Sequence, residues 1–412
     1  MPVSPDTPLK RSLTLPLITL YGLGTTIGGG IYVLIGGVAG RAGLYAPFSF
    51  MLAVLLATLT AFSFAELSSR FPQSAGQAVY VHEGLKRRDL AIFVGFLVIA
   101  NGVITAAAMV VGFAGYFGTM IETPSWLAVI VVTAALGLLA FWGIGESVSV
   151  AALVTLVEIG GLLLIVWVGR DVFADFPAKA PDLIPPLTAT AWLGILGGSY
   201  LAYFAFIGFE DMVNVAEEVR DVRRNLPLGI VLTLGVTALL YMTVSLVAVL
   251  GIPLDRLAAS QAPLTLFYEH KTGGDGRIVT VISIFALLNG ALIQIILAAR
   301  VLYGMSRQGW LPHKFSRVNI RTQTPDTATA IATAAVLILA LGFTIEDLAQ
   351  TTTFVMMIVS CLVNASLWRI KRRGPEPPPG GMTIPIWIPA TGLIVTAVFA
   401  VLVLWDLIAR LS

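Results

Sequence analysis

Between Leu13 and Gly40 the chain is apolar over a length sufficient to cross a bilayer, yet the middle of that run, Leu23–Tyr32, reads LGTTIGGGIY. A spanning helix must satisfy its own main-chain N–H and C=O groups, because lipid offers them no partner. Four glycines and two threonines at its centre therefore mark a point where the helix is expected to break. Unwound backbone at that depth is tolerated only where protein or a watery cavity satisfies it, which predicts a binding site for a small polar solute.

The rest of the chain fits such a setting. Of 412 residues, 57% are hydrophobic and 12% charged, far from the composition of a soluble domain. Apolar runs of spanning length lie at about 13–40, 48–66, 90–120, 125–142, 148–168, 192–219, 226–251, 278–305, 328–343, 348–367 and 384–407, giving eleven expected spans in an all-α polytopic membrane protein. With the N-terminus in the cytoplasm, 18 of the 25 Lys and Arg fall on the inner side, as the positive-inside bias requires. The expected placement is the cytoplasmic membrane, N-terminus inside and C-terminus outside. The first twelve residues are polar with no cleavage signature, so the first run reads as a retained span. Net charge is +2 and no basic cluster is interleaved with aromatics, which argues against a nucleic-acid partner. Cys361, the single cysteine, excludes an intramolecular disulfide and reads as a packing residue.

A second interruption matches the first. The sixth run contains FAFIGFEDM from Phe204 to Met212, in which Glu210 and Asp211 interrupt an apolar sequence, and Ile207-Gly208 follows Ile27-Gly28 by 180 positions. Interrupted spans at corresponding positions are the sequence signature of a transporter built from two inverted repeats, with its site between the breaks. The alternative is that the glycines, as in Gly24-x-x-x-Gly28 and Gly36-x-x-x-Gly40, serve close helix packing. On the first reading residues 1–12 are a cytoplasmic tail, 13–170 one five-span repeat, 171–191 an external loop and 192–369 the second repeat. Residues 370–383 are then a proline-rich cytoplasmic linker, and 384–412 the eleventh span and C-terminus. Where the first span resumes at Gly29 to Ile31, free N–H groups and the positive dipole end suit a carboxylate. Carbonyls freed at the two breaks suit an ammonium. An anion pole and a cation pole a few ångströms apart match a zwitterionic α-amino acid, and glycines at 28, 29 and 30 let it approach the main chain.

Four stretches, GTTIGGGIYVLIG, AELSSRFPQSAGQAVYVHEGL (65–85), FIGFEDMVNVAEEVRDVRRNLPLGI (206–230) and AARVLYGMSRQGWLP (298–312), resemble the amino acid–polyamine–organocation family of transporters, among them bacterial amino acid permeases and cationic amino acid transporters. The resemblance covers the first ten spans in order. It implies a ten-helix core of the type known from LeuT, two five-helix inverted repeats with an amino acid held between broken spans one and six, working by alternating access. Carried over by position, the substrate-binding residues are Thr25, Thr26, Ile27, Gly28, Gly29 and Gly30 on the first span and Phe204, Ala205, Phe206, Ile207 and Gly208 on the sixth. Gly29 and Gly30 would offer amides to the carboxylate and Thr26 a carbonyl to the ammonium. Phe204 resembles the family's aromatic gate. Gln294 on the eighth span and Asn101 on the third are further candidates, each also readable as a helix-to-helix hydrogen bond. The family usually has twelve spans where this chain shows eleven, which leaves the contacts of the twelfth, and the oligomeric state, unread.

Proton-coupled cationic relatives carry a lysine on the fifth span, eleven residues after the serine of a GVKES-like turn. Here the turn is GIGES (143–147) and the eleventh residue is Glu158. A carboxylate near the centre of a span is costly and by default functional, so Glu158 is expected to bind and release a coupling proton; sodium is left open. The alternative is a neutral acid that hydrogen-bonds the first or eighth span without titrating. Glu210 is the second coupling candidate, with a competing role of orienting its break by accepting N–H bonds. Glu66, Glu217 and Glu218, near Arg70 and Arg220, read as inner-gate ion pairs or ordinary interfacial charges. His82, His270 and His313 sit in separate stretches with no metal-ligand spacing, and the glycines at 22 and 24 do not complete a nucleotide-binding fingerprint, so neither an enzyme nor a cofactor is expected. Ala100-Asn101 replaces a Glu-Tyr pair found in cationic relatives, which points towards neutral substrates. Symport, exchange, export and a non-transporting sensor would share these motifs.

Overall fold

The computed structural model describes residues 11–73, 76–142, 148–307, 309–319, 322, 324–374 and 379–411. The GIGES turn, most of the N-terminal tail and the centre of the proline-rich linker lie outside them. Among the described residues the chain is helical throughout, apart from connecting segments and one isolated main-chain bridge between Leu13 and Val219.

The first apolar run is two helices, α1 (Leu15–Ile27) and α2 (Gly30–Ala42), followed by α3 (Ala46–Arg70), a short α4 (Gly76–Leu85), α5 (Arg88–Met120), α6 (Ser125–Trp142) and α7 (Val148–Val168). A surface helix α8 (Asp171–Lys179) leads to α9 (Ala189–Phe206). The sixth run then continues, after a break, as a 3₁₀ segment over Phe209–Glu218. Next come α10 (Val222–Gly251), two short helices α11 (Leu254–Ala259) and α12 (Pro263–Thr272), α13 (Arg277–Arg307), α14 (Asp326–Gly342), α15 (Ile345–Arg373) and α16 (Trp387–Leu411). Each of the eleven expected spans coincides with one helix or one broken pair. By length and composition alone eight stretches are long and apolar enough to cross a membrane, or nine if α7 is joined to α8 across a 61° bend. The lower number has a plain cause: α1 and α14 are short, and α2 and α3 run together as one apolar stretch. α15 extends to Arg373, into the stretch assigned from sequence to the linker, because Lys371, Arg372 and Arg373 favour the negative end of a helix dipole and Gly374, at φ +75°, ends it.

Packing explains why the first span is divided. α1 lies against α7 and α10, whereas α2 lies against α9 and α11, so its two halves belong to different neighbourhoods. α5 and α13 pair along much of their length, as do α3 and α10. Glycines allow the close approaches: a Cβ at Gly24 would overlap the Thr155 hydroxyl, and one at Gly36 would sit 2.6 Å from the Leu257 carbonyl oxygen. The packing role considered for Gly24 and Gly36 is therefore real, and it coexists with the break.

One end of the bundle is fastened by a buried network. Glu66, fully buried at the end of α3, accepts from Arg70 Nε at 2.9 Å and Nη2 at 2.8 Å, from Lys371 Nζ of α15 at 2.8 Å, and from the Ile384 main-chain N–H at 2.8 Å. Four donors on one carboxylate tie α3, α15 and the approach to α16. Elsewhere, Lys271 of α12 hydrogen-bonds Asp171 of α8 at 2.6 Å and holds that carboxyl below its usual range. This link is complete at neutral pH and is lost as pH falls through the depressed value. Both pairs join separate elements, but only Glu66 is buried. Glu66→Ala removes the buried carboxylate that the half-buried Arg70 and Lys371 share, and a loss of about 3 kcal/mol is expected. Glu83→Ala, which breaks the exposed pair with Lys86, should cost well under about 1 kcal/mol. Thermal unfolding of the two variants in detergent checks the contrast.

Candidate functional site

The breaks fall where the glycines stand. α1 ends at Ile27, Gly28 adopts φ +27° with ψ −142°, and α2 starts at Gly30. In the sixth span α9 ends at Phe206, Ile207 is extended and Gly208 adopts φ +130°. A side chain at such a φ is strained, and at Gly208 it would also overlap the carbonyl of Thr25. The two breaks are thus in van der Waals contact. They also satisfy each other: the Thr25 hydroxyl is 3.0 Å from the carbonyl oxygens of both Gly22 and Gly208 and donates across the gap. Tyr241 of α10 points its hydroxyl at the last carbonyls of α1, 3.0 Å from that of Thr26 and 3.2 Å from that of Ile27. Glu210 Oε2 accepts the Gly208 N–H at 2.9 Å, which orients the second break.

Around the breaks the sequence candidates separate into two levels. Gly29, Gly30 and Phe204 border a tight seam with no room for a water molecule between its walls, with Met109 of α5, Leu287 of α13 and Ile345 of α15 completing much of its wall. Ala205 packs on Gly30, where a Cβ would sit 2.8 Å from the Ala205 Cα. Thr25, Thr26, Ile27, Ile207 and Gly208 form the join of the breaks, while Phe206 turns away to pack edge-on against Phe50 and beside Tyr241. Gln294 and Asn101 are not at this level. Seven residues separate Gln294 from Leu287 and eight separate Asn101 from Met109, so both lie about 10–12 Å further along their helices. There Gln294 Nε2 donates to Asp211 Oδ2 at 2.9 Å.

Glu158 is fully buried and accepts from Asn289 of α13 at 3.3 Å, while its main-chain carbonyl accepts from the Tyr32 hydroxyl at 2.6 Å. The Tyr116 hydroxyl in turn donates to the Tyr32 carbonyl at 2.6 Å. The fifth span is thereby tied to the second half of the first span and to the eighth. A family model described as amino acid permease matches residues 13–409.

The chain belongs to the amino acid permease family. Among curated relatives of this permease, "Cationic amino acid transporter 3, mitochondrial" of Arabidopsis thaliana is 30% identical over 390 residues, 87% of this chain and 62% of its own length. "Branched-chain amino acid permease BcaP" of Bacillus subtilis is 28% identical, over 92% of this chain and 85% of its own. "Methylthioribose transporter" of the same bacterium is 29% identical, over 77% and 72%. The chain spans about three fifths of the length of the plant relatives it matches.

The permease site includes residues that sequence reading passed over. Met109, Leu287 and Ile345 look like any other apolar residues within a span, and no pattern separates the wall of a seam from the face towards lipid. Tyr32, Tyr116 and Tyr241 did carry a signal, since a hydroxyl at mid-membrane needs an acceptor. Asn289 carried the same signal more strongly, and Asp211 enters the sequence reading only as an interruption of the sixth run. Gly208→Ala combines a strained φ, worth about 1–3 kcal/mol, with backbone overlap. At Gly43 the φ is also positive, +58°, but nothing lies within 4 Å of an added Cβ. Gly208→Ala is expected to lower the unfolding temperature markedly more than Gly43→Ala, as read by fluorescence-detected unfolding.

Proposed function

We propose that this permease is a secondary active transporter of neutral α-amino acids, with the substrate held at the seam between the two breaks. The observation that carries this reading is the composition of the seam: main chain at Gly29 and Gly30 on one wall, and Met109, Leu287, Ile345 and Phe204 around the remainder. The first-turn amides of α2 have no carbonyl one turn earlier in the helix and suit the α-carboxylate. Carbonyls at the end of α1 suit the ammonium; that of Thr26 already accepts from Tyr241 and keeps its second lone pair. Beyond these poles the wall is apolar and fits an aliphatic side chain. Family membership and the name of the branched-chain permease of Bacillus subtilis support amino acid cargo, and that name fits this lining.

The cationic reading draws on the names of the plant relatives. It would need an acid in the seam, and none is among the residues that line it. Transport on this reading uses the two five-span repeats as the moving parts, 13–170 and 192–369, in a membrane with the N-terminus on the cytoplasmic side. Glu158 and Glu210 are then proton-coupling groups, Glu158 communicating with the eighth span through Asn289 and Glu210 with the sixth-span break through Gly208.

Counterflow of labelled L-leucine into liposomes carrying the purified chain tests the reading. Accumulation against unlabelled internal leucine is expected, and binding without flux would make the protein a sensor. In a thermal-shift comparison of the twenty amino acids, the largest stabilisation should come from aliphatic ones, by mass action on the folded form. Gly29→Leu should abolish leucine uptake while expression is retained, because the added side chain fills the seam. Normal uptake in that variant would place the site elsewhere.

A further inference from the structure

The second polar level lies on the cytoplasmic side of the seam if the N-terminus is inside, and its chemistry differs from that of the seam. Glu210, Asp211 and Gln294 are 1%, 2% and 2% exposed. Among the described residues no Lys, Arg or His nitrogen comes within ion-pair distance of either carboxylate. Glu210 Oε1, Asp211 Oδ1 and Gln294 Oε1 each lack a hydrogen-bond donor. The Gln294 oxygen is aimed at α5, 3.4 Å from where a Cβ on Gly102 would stand.

The surroundings supply no hidden counter-charge. Of the elements packed round the 3₁₀ segment, α1 carries only Tyr21 as a titratable group. On α3 they are Glu66 and Arg70, already paired with each other, and on α4 Tyr80, His82 and Glu83. On α10 they are Arg223 and Arg224, exposed at its start, and Tyr241, directed at α1. α9 contributes Tyr200 and Tyr203. α5 has none between Asp89 and Tyr116, and α13 none between Arg277 and Arg300. Glu217 and Glu218, further along the segment itself, add only negative charge. A buried carboxylate pair with no cation costs several kcal/mol per charge, on the order of the whole stability margin of a domain. The bundle can close over this pair only if positive charge is taken up there.

We propose that Asp211 and Gln294 form a proton-binding latch between the inner half of the sixth span and the eighth span, separate from Glu158. This rests on the transport reading above. Glu210 is engaged within its own turn by the Gly208 N–H and holds the break. Asp211 instead meets an amide on another helix, and an amide offers a donor on one side and an acceptor on the other. With Asp211 ionised, Gln294 Nε2–H donates to it, as observed. When a proton from water bonds to an Asp211 oxygen, a half-turn of the Gln294 amide brings its carbonyl oxygen to accept from the new O–H. The link survives both forms, no electrons move, and the proton returns to water when the path reopens. Separation from Glu158 follows from helix geometry: its partner Asn289 is five residues before Gln294, roughly 140° away round α13.

The test uses the full chain in liposomes with labelled L-leucine. An inward proton gradient should raise wild-type accumulation, and internal pyranine should record proton entry with the substrate. Asp211→Asn should retain measurable counterflow while its accumulation falls to the level seen without a gradient; Asp211→Glu should keep the response. Gln294→Leu, which removes the second half of the latch, should move the pH of half-maximal uptake, whereas a merely structural contact would lower uptake equally at every pH. Independently of transport, the acid-minus-alkaline infrared difference spectrum should contain a protonated-carboxyl band that Asp211→Asn lacks and Asp211→Glu keeps. Wild-type gradient-driven accumulation in Asp211→Asn, an unchanged band in that variant, or stimulation by a sodium gradient in place of a proton gradient would overturn the latch. Absent leucine counterflow in the wild type, with the band behaving as expected, would overturn the leucine-transport reading and leave the proton site standing.

Discussion

Main-chain hydrogen bonding at membrane depth is the constraint on which this structure turns. Each helix interruption releases carbonyls and amides that lipid cannot satisfy. Here the released groups find partners in three places: Thr25 of the first break donates to the Gly208 carbonyl of the second, Glu210 accepts the Gly208 N–H within its own turn, and Tyr241 of α10 caps the end of α1. The contact between the breaks also explains the glycine at 208, since any side chain there would drive the Thr25 carbonyl away and undo the arrangement.

A mechanical consequence follows. α1 and the 3₁₀ segment are joined at the break through Thr25 and Gly208. They are joined again at their far ends, where Leu13 N–H donates to the Glu218 carbonyl and Arg220 N–H to that of Leu13. Two attachments at opposite ends make one body of segments that are far apart in sequence. α2 belongs with α9, where Arg41 at its end donates to the Gly197 carbonyl at 3.0 Å. The broken spans thus divide into two pairs, α1 with the 3₁₀ segment and α2 with α9, that meet at the seam.

The positions of the breaks were legible in sequence because the signal was local. Glycine and threonine within an apolar run leave few conformations open, and the coincidence of Ile27-Gly28 with Ile207-Gly208 pointed to a pair. The spans were legible for the same reason, since bilayer thickness fixes their length. What escaped was lateral. Gln294 and Asn101 were grouped with the substrate site by their place in the spans, yet such a correspondence gives no exact depth, and both lie about two turns from the seam. Asn289 was not singled out, and Asp211 was noted only as an interruption of the sixth run. Glu66, read beside Arg70 as an ion pair or an interfacial charge, does pair with Arg70, but only packing reveals that Lys371 of α15 and the Ile384 N–H share its carboxylate. Local chemistry is written along the chain, whereas partners from other helices are not.

The division between main chain and side chain within the site bears on how one architecture can serve the cargoes named for its relatives. Main-chain poles at Gly29, Gly30 and the end of α1 are set by helix geometry and change little with sequence, provided the glycines remain. Side chains of the wall, Met109, Leu287 and Ile345, can vary without disturbing the breaks, because none of them satisfies a released amide or carbonyl. Selectivity can therefore drift while the fold stays fixed, and a swap of one aliphatic residue for another shifts preference by only about 1–3 kcal/mol. An acid introduced among them would be a larger step. It would be buried with no cation until the matching substrate arrived, at a cost of several kcal/mol to the unliganded protein. An apolar wall avoids that cost, and the buried carboxylates Glu158, Glu210 and Asp211 are not among the residues that line the seam.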